Sequence, residues 1–309
     1  MTYARAVPEG FADGRPVQVV AHRGASADVP EHTLAAYRKA IADGADALDC
    51  DVRLTSDGEL VCVHDRRVDR TSNGRGAVSS LALADLATLD FGSWKDGHGE
   101  PGGPGSRDRH PGDARTKDAH ISARIRGARA GRVKEEDENA VRERSGVLTL
   151  RRLLELVADT DRRVEVAIET KHPTRWSGQV ERRLLDLLRH FGMDRPARGE
   201  PAQVRVMSFS PRALRRVRLA APAVPTVFLV RHALPRRWSG WLPAGVGIAG
   251  PSMRIVRADP GYVARSRQAG HRVHVWTVDE PADVELCVQL GVDSIITNRP
   301  SAVLSQLGR

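Results

Sequence analysis

Cysteine, aromatic residues and long apolar runs are all scarce in this chain of 309 residues. The three cysteines, Cys50, Cys62 and Cys287, are too few for a disulfide framework, which excludes the class of small disulfide-stapled secreted domains. No apolar run approaches the length of a membrane span, and Met1–Arg15 has neither the basic start nor the apolar centre of a signal peptide. We therefore expect a soluble, cytoplasmic protein with no membrane span.

Positive charge is abundant, but its distribution does not favour nucleic-acid binding. The formal net charge is +9, yet nearly all the basic residues are arginines spread along the chain, and aromatic residues make up only 4% of it. A nucleic-acid surface usually needs a concentrated basic patch, often with aromatic side chains between its cations. Attraction of a small anionic substrate is the simpler use of this charge, so nucleic acid is not an expected partner. Only five of the basic residues are lysines, and they too are spread along the chain: Lys39, Lys95, Lys117, Lys134 and Lys171.

Short apolar runs alternate with helix signals along most of the chain, which is typical of an α/β fold. Leu34–Ala42 is predicted to be an amphipathic helix that ends at Gly44. A (β/α)8 barrel of the TIM type commonly occupies about 250 residues, which fits one domain. Because nine strand candidates compete for eight barrel positions, we expect Val246–Ala249 or Asp293–Thr297 to lie outside the barrel. The candidates are Val17–Ala21, Ala47–Leu54, Leu60–His64, Val164–Glu169, Val204–Ser208, Thr226–Val230, Val246–Ala249, His271–Thr277 and Asp293–Thr297.

One stretch, 97–145, interrupts this alternation. Residues 97–144 contain no leucine, phenylalanine, tryptophan or tyrosine, and their charged residues are of both signs. Such a segment buries too little apolar surface to offset the entropy lost on ordering. We predict a single domain, 1–309, in which 16–96 and 146–305 form the barrel and 97–145 is a disordered surface insertion. A lid over an active site is the alternative, because the insertion follows the third predicted strand.

A titratable base and a fixed cation directly follow the first predicted strand, in the motif His22-Arg23-Gly24. In the second strand, Asp49 and Asp51 are two residues apart, so strand alternation points both carboxylates to the same face. Adjacent carboxylates repel each other, and a hard divalent cation such as Mg²⁺ or Ca²⁺ relieves that repulsion. Taken alone, such a pair is more often an exposed strand end, and a lone histidine after a strand is more often structural.

Recurrence of the pattern favours an active site. A second apolar run ends in His64 and Asp65, and a third leads into Glu169 and Lys171. In a parallel α/β barrel the carboxyl ends of the strands converge at one face, where active sites lie. We therefore expect these titratable groups to meet.

Further motifs follow in a fixed order along nearly the whole chain. Residues 22–65 read HRGASADVPEHTLAAYRKAIADGADALDCDVRLTSDGELVCVHD. Later segments read AIETK at 167–171, VMSFS at 206–210, VWTV at 275–278 and GVDSIITNRP at 291–300. This succession resembles the glycerophosphodiester phosphodiesterases, whose pattern runs HRG, PENT, GAD, ExDV, TxDG and HD before similar later motifs.

The resemblance implies a site at named positions. Three acids match the family's metal-binding positions, so the expected cofactor is a divalent ion, Mg²⁺ or Ca²⁺. His22 and His64 match its paired histidines, one acting as general base and the other as general acid, with the assignment open. Glu31 is expected to support the metal shell or, as an acid near a helix start, to favour the helix dipole. The metal-binding acids are Asp49, Asp51 and Glu169, and the expected substrate contacts are Arg23, Lys171 and Trp276.

Three positions depart from the family's pattern. Asp49 stands where a glutamate is usual, while His32 and Asp279 stand where asparagines are usual. The shorter Asp49 moves a metal-ligand oxygen by about 1 Å, and cations that demand near-ideal geometry are the most sensitive to that change. The choice between Mg²⁺ and Ca²⁺ is therefore open.

The implied function is metal-dependent hydrolysis of glycerophosphodiesters to an alcohol and glycerol 3-phosphate by a phosphoric diester hydrolase. An alternative on the same fold is a lysophospholipase D-like or sphingomyelinase D-like phosphodiesterase that accepts lipid diesters. That alternative calls for an apolar, membrane-facing rim, and no aromatic patch or basic amphipathic helix is evident near the motifs. A second alternative is a catalytically silent binding protein of the same fold, which the intact His22, His64, Asp51 and Glu169 disfavour.

Overall fold

The structure is a computed structural model, and most of the predicted insertion lies outside the residues that it describes. Of the range 97–145, residues 97–137 lie outside, whereas 138–145 form a helical segment. That segment contacts the rest of the protein through an ion pair between Arg38 Nε and Glu143 Oε2 at 3.0 Å. The described residues are 16–95, 138–174, 178–196, 199–232 and 241–309.

Eight parallel strands close into a barrel, which confirms the predicted TIM-type fold. The described residues contain nine strands: β1 (Gln18–His22), β2 (Ala47–Leu54), β3 (Leu60–Cys62), β4 (Glu165–Thr170), β5 (Val204–Ser208), β6 (Thr226–Val230), β7 (Ile248–Pro251), β8 (Arg272–Trp276) and β9 (Ser294–Thr297). Their order is β1-β9-β8-β7-β6-β5-β4-β2-β3, and β1 also pairs with β2. This last pairing closes the barrel and leaves β3 outside it.

The position of β3 corrects the sequence-based prediction, which placed Val246–Ala249 or Asp293–Thr297 outside the barrel. Both β7 and β9 pair in parallel with two neighbours and are barrel strands. β3 instead folds back antiparallel on β2, with Val52 opposite Cys62. The physical reason is the short connection 55–59, because a parallel crossover needs about a dozen residues or more.

Capping residues define the helices around the barrel. The first helix has the predicted bounds, because the Thr33 hydroxyl accepts a hydrogen bond from Ala36 N at 3.2 Å and Gly44 follows with a φ of +93°. No helix in the described part of the chain is both long and apolar enough to cross a membrane. Besides the helical segment 138–145, the α-helices of the described residues are α1 (Leu34–Ala42), α2 (Leu83–Leu86), α3 (Leu150–Ala158), α4 (Gln179–His190), α5 (Pro211–Ala220), α6 (Met253–Ala258), α7 (Gly261–Gln268), α8 (Pro281–Leu290) and α9 (Pro300–Gln306).

A layer of buried apolar side chains fills the middle of the barrel. Strand alternation places the residues two positions beyond this layer on the same inner face, nearer the carboxyl ends of the strands. In β1, β2 and β4 those residues are polar: His22, Asp49 and Glu169. The apolar layer consists of Val20, Ala47, Ala167, Met207, Val227, Leu229, Ile248 and Ile296.

Candidate active site

Register between adjacent strands brings the predicted acids together at the carboxyl end of the barrel. His22, the last residue of β1, lies opposite Asp49 of β2, and Asp51 lies opposite Glu169 of β4. Asp49, Asp51 and Glu169 are only 3%, 1% and 8% exposed. The structure therefore creates a largely desolvated acidic cluster beside an imidazole.

A tight turn in the His22-Arg23-Gly24 motif carries further groups into this cluster. Gly24 has a φ of +81°, and a Cβ there would lie 2.7 Å from the backbone carbonyl carbon of Ala36. Only glycine tolerates both the left-handed conformation and this close approach. The first turns of α1 can therefore pack against the end of β1, which brings Glu31 and His32 to the site.

Asp51 is the most heavily bonded member of the cluster. Its Oδ1 lies 2.8 Å from Lys171 Nζ, and its Oδ2 lies 2.9 Å from His32 Nε2 and 3.2 Å from Arg23 Nε. Burial alone would raise its pKa, but Lys171 and the His32 hydrogen bond hold the pKa of Asp51 well below its usual value. Asp51 is therefore the anionic centre of the site.

The other two acids are short of positive partners. Burial and the charge of Asp51 raise the pKa of Glu169 to about 8, although Lys171 Nζ lies 2.9 Å from Glu169 Oε1. Burial and the charges of Asp51 and Glu169 also raise the pKa of Asp49, and its buried Oδ1 has no hydrogen-bond partner among the described residues. One more cation would relieve this excess of negative charge.

The donor set suits a hard divalent cation, although the ligands are not arranged around one position. In the part of the chain that the structure describes, no group of three or more His, Cys, Asp or Glu side chains is arranged so that it could hold a metal ion. Lys171 Nζ instead lies between Asp51 and Glu169. The partnerless Asp49 oxygen and the three carboxylates nevertheless match the oxygen ligands of Mg²⁺ or Ca²⁺.

Hydrogen bonds fix the tautomer of His22. Its Nδ1 lies 2.7 Å from Asn298 Oδ1, and Asn298 Nδ2 donates to Asp279 Oδ2 at 2.6 Å. Because the amide oxygen only accepts, His22 Nδ1 must donate, which leaves Nε2 with a free lone pair 3.8 Å from Asp49 Oδ2. Burial and the charge of Arg23 lower the pKa of His22 to about 3. His22 is thus a neutral imidazole whose basic nitrogen faces the acidic cluster.

His64 reaches the site by a different path from the one predicted. It follows β3, which is antiparallel, so its position does not come from the convergence of parallel strand ends. The backbone N–H of Val63 donates to the Asp51 carbonyl at 3.0 Å, which anchors the returning strand at the rim. His64 Nδ1 lies 2.7 Å from Asp65 Oδ1, and burial lowers the pKa of His64 to about 4. The hydrogen bond to Asp65 opposes this shift, because a carboxylate on Nδ1 stabilises the protonated ring, but burial outweighs it.

Glu31 connects Arg23 to a second arginine and does not contact the acidic cluster. Its Oε1 accepts from Arg23 Nη1 at 2.9 Å and from Arg70 Nη2 at 2.7 Å. Arg70 Nε also donates to Asp65 Oδ2 at 2.5 Å. Despite burial, the Arg70 and Arg23 contacts lower the pKa of Glu31 to about 2. Glu31 therefore orients Arg23. Through Arg70 it also links Arg23 to Asp65, the carboxylate that contacts His64.

Trp276 forms part of the wall at the barrel mouth. Its Nε1 donates to the Gly250 carbonyl at 2.7 Å, and its ring meets that of Phe209 edge-on, with centroids 5.5 Å apart. Trp276 is half-buried, and it packs against the apolar layer inside the barrel. A contact between its exposed edge and the alcohol moiety of a substrate remains a prediction.

Sequence reasoning missed several supporting residues. The sequence marks His32 and Asp279 only as departures from the family pattern, with no role assigned to them. In the structure, His32 is hydrogen-bonded to Asp51, and Asp279 is hydrogen-bonded to Asn298, which holds His22. The sequence places Asp65 among the titratable groups of the site, but it does not predict the contact of Asp65 with His64 Nδ1. Local spacing could not have identified Asn298, since 276 residues separate it from His22.

We expect Asp279→Asn to lower turnover by about tenfold or more, although asparagine is usual at this position in the family pattern. Asp279 accepts hydrogen bonds from Thr297 Oγ1, Asn298 N and Asn298 Nδ2. With asparagine at position 279, an NH₂ group would face the NH₂ group of Asn298. This favours rotation of the Asn298 amide by about 180°, so that its NH₂ group faces His22 in place of its oxygen. ¹⁵N NMR of His22 in the folded variant should then show the hydrogen moved to Nε2; an unchanged tautomer with normal turnover would contradict this network.

Comparison with known proteins decides the family. Residues 22–302 match the Glycerophosphoryl diester phosphodiesterase family. The chain belongs to this family. Membership confirms the resemblance found in the sequence and, with it, the predicted enzyme class, a glycerophosphodiester phosphodiesterase.

Relatives in this family match the chain over most of its length. The protein named "Probable glycerophosphodiester phosphodiesterase 1" in Mycobacterium tuberculosis is 41% identical over 282 residues, which cover 91% of this chain and 89% of the relative. The glycerophosphodiester phosphodiesterase of Bacillus subtilis is 29% identical over 292 residues, covering 92% and 84%.

Solved structures share the fold. A putative glycerophosphoryl diester phosphodiesterase from Silicibacter pomeroyi superposes with a TM-score of 0.70 at 22% identity, covering 94% of this chain and 93% of that one. An Oleispira antarctica phosphodiesterase, solved in complex with its product sn-glycerol-3-phosphate, has a TM-score of 0.70 at 21% identity, covering 94% and 97%.

Proposed function

We propose that the protein hydrolyses glycerophosphodiesters to an alcohol and glycerol 3-phosphate at the carboxyl end of its barrel, with a divalent cation and the His22/His64 pair. One observation carries the proposal: two imidazoles, each fixed through Nδ1, flank a buried cluster of three acids. The product complex of the Oleispira antarctica phosphodiesterase supports the substrate class, because that protein shares this fold.

Asp49, Asp51 and Glu169 would hold the cation, Mg²⁺ or Ca²⁺. The partnerless Asp49 oxygen supports this assignment, as do the raised pKa values of Asp49 and Glu169. When bound, such a cation supplies Lewis-acid stabilisation of the negative charge on the phosphoryl oxygens. The shorter Asp49, in place of the usual glutamate, makes the metal preference a property of this particular chain.

The hydrogen-bond partners of the two histidines support different roles for them. The free Nε2 of His22 is suited to take a proton from the attacking hydroxyl, either of water or of the substrate's own glycerol, as that oxygen bonds to phosphorus. The phosphorus–oxygen bond to the alcohol then breaks. Attack by water gives glycerol 3-phosphate directly, whereas attack by the glycerol hydroxyl gives a cyclic phosphate that water must then open. His64 would give a proton to the departing oxygen, a role that Asp65 favours because its carboxylate opposes the lowering of the His64 pKa.

Arg23 and Lys171 are proposed to hold the substrate phosphate. Arg23 is positioned by Glu31 and Asp51, and Lys171 lies between Asp51 and Glu169. Both cations therefore lie beside the acids that would bind the metal, where a phosphodiester has to approach. Arg23 offers a planar donor fork to two phosphate oxygens, and Lys171 offers a compact point charge.

Substrate comparison tests the proposal against its alternatives. The protein should release choline from glycerophosphocholine, should hydrolyse lysophosphatidylcholine far more slowly, and should stop when chelator is added. Preferential hydrolysis of lysophosphatidylcholine would support a lysophospholipase D-like activity, and hydrolysis of sphingomyelin would support a sphingomyelinase D-like activity. A folded protein that turns over none of the three substrates with Mg²⁺ or Ca²⁺ present would be the silent binding protein.

A further inference from the structure

A cavity of about 530 Å³ lies at the amino-terminal end of the barrel, opposite the candidate active site. Residues that begin strands line it, among them Gln18 of β1, Glu165 of β4, Arg272 of β8 and Ser294 of β9. The apolar layer inside the barrel separates it from the acidic cluster. Its volume is in the range of ligand pockets.

Positive charge dominates the lining of this cavity. Of its charged side chains five are arginines and three are acids, Asp46, Glu165 and Asp293. Each acid already has a donor: Asp46 pairs with Arg309, Glu165 with an arginine of β5, and Asp293 accepts from a backbone N–H. The acids therefore leave the lining with an excess of positive charge. The arginines are Arg163, Arg205, Arg267, Arg272 and Arg309.

Two deeply buried side chains in the lining have nitrogen atoms without partners. Arg205 is 5% exposed, and among the described residues only its Nη1 has a hydrogen-bond partner, Glu165 Oε2 at 2.8 Å. Its Nε and Nη2, and Nδ1 of the 2%-exposed His274, have no hydrogen-bond partner within the described ranges. Buried donors in folded proteins are nearly always satisfied. The two Arg205 nitrogens therefore indicate a missing acceptor, and His274 Nδ1 can donate to the same acceptor in the tautomer that carries its hydrogen there.

The missing acceptor should be an anion. Burial lowers the pKa of Arg205; the charge of Glu165 opposes this shift, and the charge of Arg272 adds to it. Burial also lowers the pKa of His274, with Arg205 and Arg272 acting in the same direction. Two guanidinium groups that face the same cavity repel each other, and a negative ligand between them would remove that repulsion.

We propose that this cavity binds a small phosphate-bearing anion, with Arg205, Arg272 and His274 as its main contacts. Tetrahedral phosphate oxygens accept several directed hydrogen bonds at once, which matches the free edge of a guanidinium. The cavity has room for more than the phosphate group itself, so both inorganic phosphate and a small phosphomonoester fit the chemistry. The site is separate from the one that carries out hydrolysis.

Calorimetric titration with inorganic phosphate tests the proposal, with potassium chloride added to keep the ionic strength constant. Two phosphate sites are expected in the wild-type protein. Arg272→Gln should weaken one of them by roughly tenfold or more and leave hydrolysis of glycerophosphocholine unchanged, because Arg272 is exposed and far from the reacting groups. Arg23→Ala should weaken only the other site. A parallel titration with sn-glycerol 3-phosphate distinguishes a phosphomonoester from phosphate alone.

Arg212→Gln is the matched control, since Arg212 is an exposed residue of α5 that does not line the cavity. It removes the same charge and should leave both sites intact. Phosphate binding that is equal in the wild type and in Arg272→Gln would overturn the proposal. Equal weakening by Arg212→Gln and Arg272→Gln would also overturn it, because net charge alone would then explain the effect. If the Arg205→Gln variant folds, its phosphate affinity is a second test of the site. If that variant does not fold, the phosphate affinity of Arg272→Gln alone decides between the two outcomes.

Discussion

Replacing either His22 or His64 by alanine should lower turnover of glycerophosphocholine by roughly 10²- to 10⁴-fold, the usual contribution of general acid–base catalysis. Both rings are held through Nδ1, so each loss removes a group whose other nitrogen is free to exchange a proton. The fold should survive, because Asn298 Oδ1 keeps a hydrogen bond from Ser26 Oγ at 2.9 Å when the His22 ring is removed. Turnover and melting temperature, measured together, check both expectations.

A substrate with a good leaving group should separate the two histidines. A nitrophenyl phosphodiester needs little protonation of the departing oxygen, so it should rescue His64→Ala and leave His22→Ala slow. The double variant should lose much less than the product of the two single losses, because residues that act as one unit are not additive. Rescue of His22→Ala instead would reverse the roles, and near-normal turnover of either single variant on the natural diester would refute the pair.

Removal of divalent metal should abolish hydrolysis, and Asp51→Asn should raise the metal concentration needed for half-maximal activity. Asp51 is the most buried acid of the cluster and has its charge held by Lys171 and His32, so its loss removes the strongest anion. Metal binding, followed by calorimetry, gives a readout that does not depend on turnover. Asp159→Asn, the same change at an exposed position after α3, is the matched control and should leave both measurements unchanged.

Two results would contradict this account of the metal. Full activity in excess chelator would show that no exchangeable cation takes part, and unchanged metal affinity in Asp51→Asn would remove that residue from the ligand set. Asp49→Glu should remain active and change the preference between Mg²⁺ and Ca²⁺, because a longer side chain moves one ligand oxygen. A folded but inactive Asp49→Glu would show that the family pattern does not transfer at this position.

Local patterns in the sequence, together with the family resemblance, were enough to predict the barrel and the acidic cluster. β2, β5, β6 and α1 have the predicted bounds, because apolar runs, caps and glycines are features of neighbouring residues. The alternation of Asp49 and Asp51 likewise follows from strand geometry. The error over β3 has an equally local cause, since the short connection 55–59 requires a hairpin and the number of strand candidates alone does not reveal it.

Contacts between distant parts of the chain could not be predicted in the same way. Asn298 and Asp279 fix the His22 tautomer from the far end of the sequence, and only closure of the barrel through β1 and β9 brings them there. Arg205 and His274 lie in ordinary strand segments, Arg205 in β5 and His274 in β8. Their unsatisfied nitrogen atoms become visible only when the strands are assembled.

Analysis of the products from glycerophosphocholine tests the central claim most directly. With divalent metal present, the wild-type protein should release glycerol 3-phosphate and choline in equal amounts, and the His22→Ala/His64→Ala double variant should do so at least about 10²-fold more slowly. Release of phosphocholine instead of choline would place bond breaking on the other side of phosphorus. Undiminished release of glycerol 3-phosphate by a folded double variant would show that the histidine pair does not carry out the reaction.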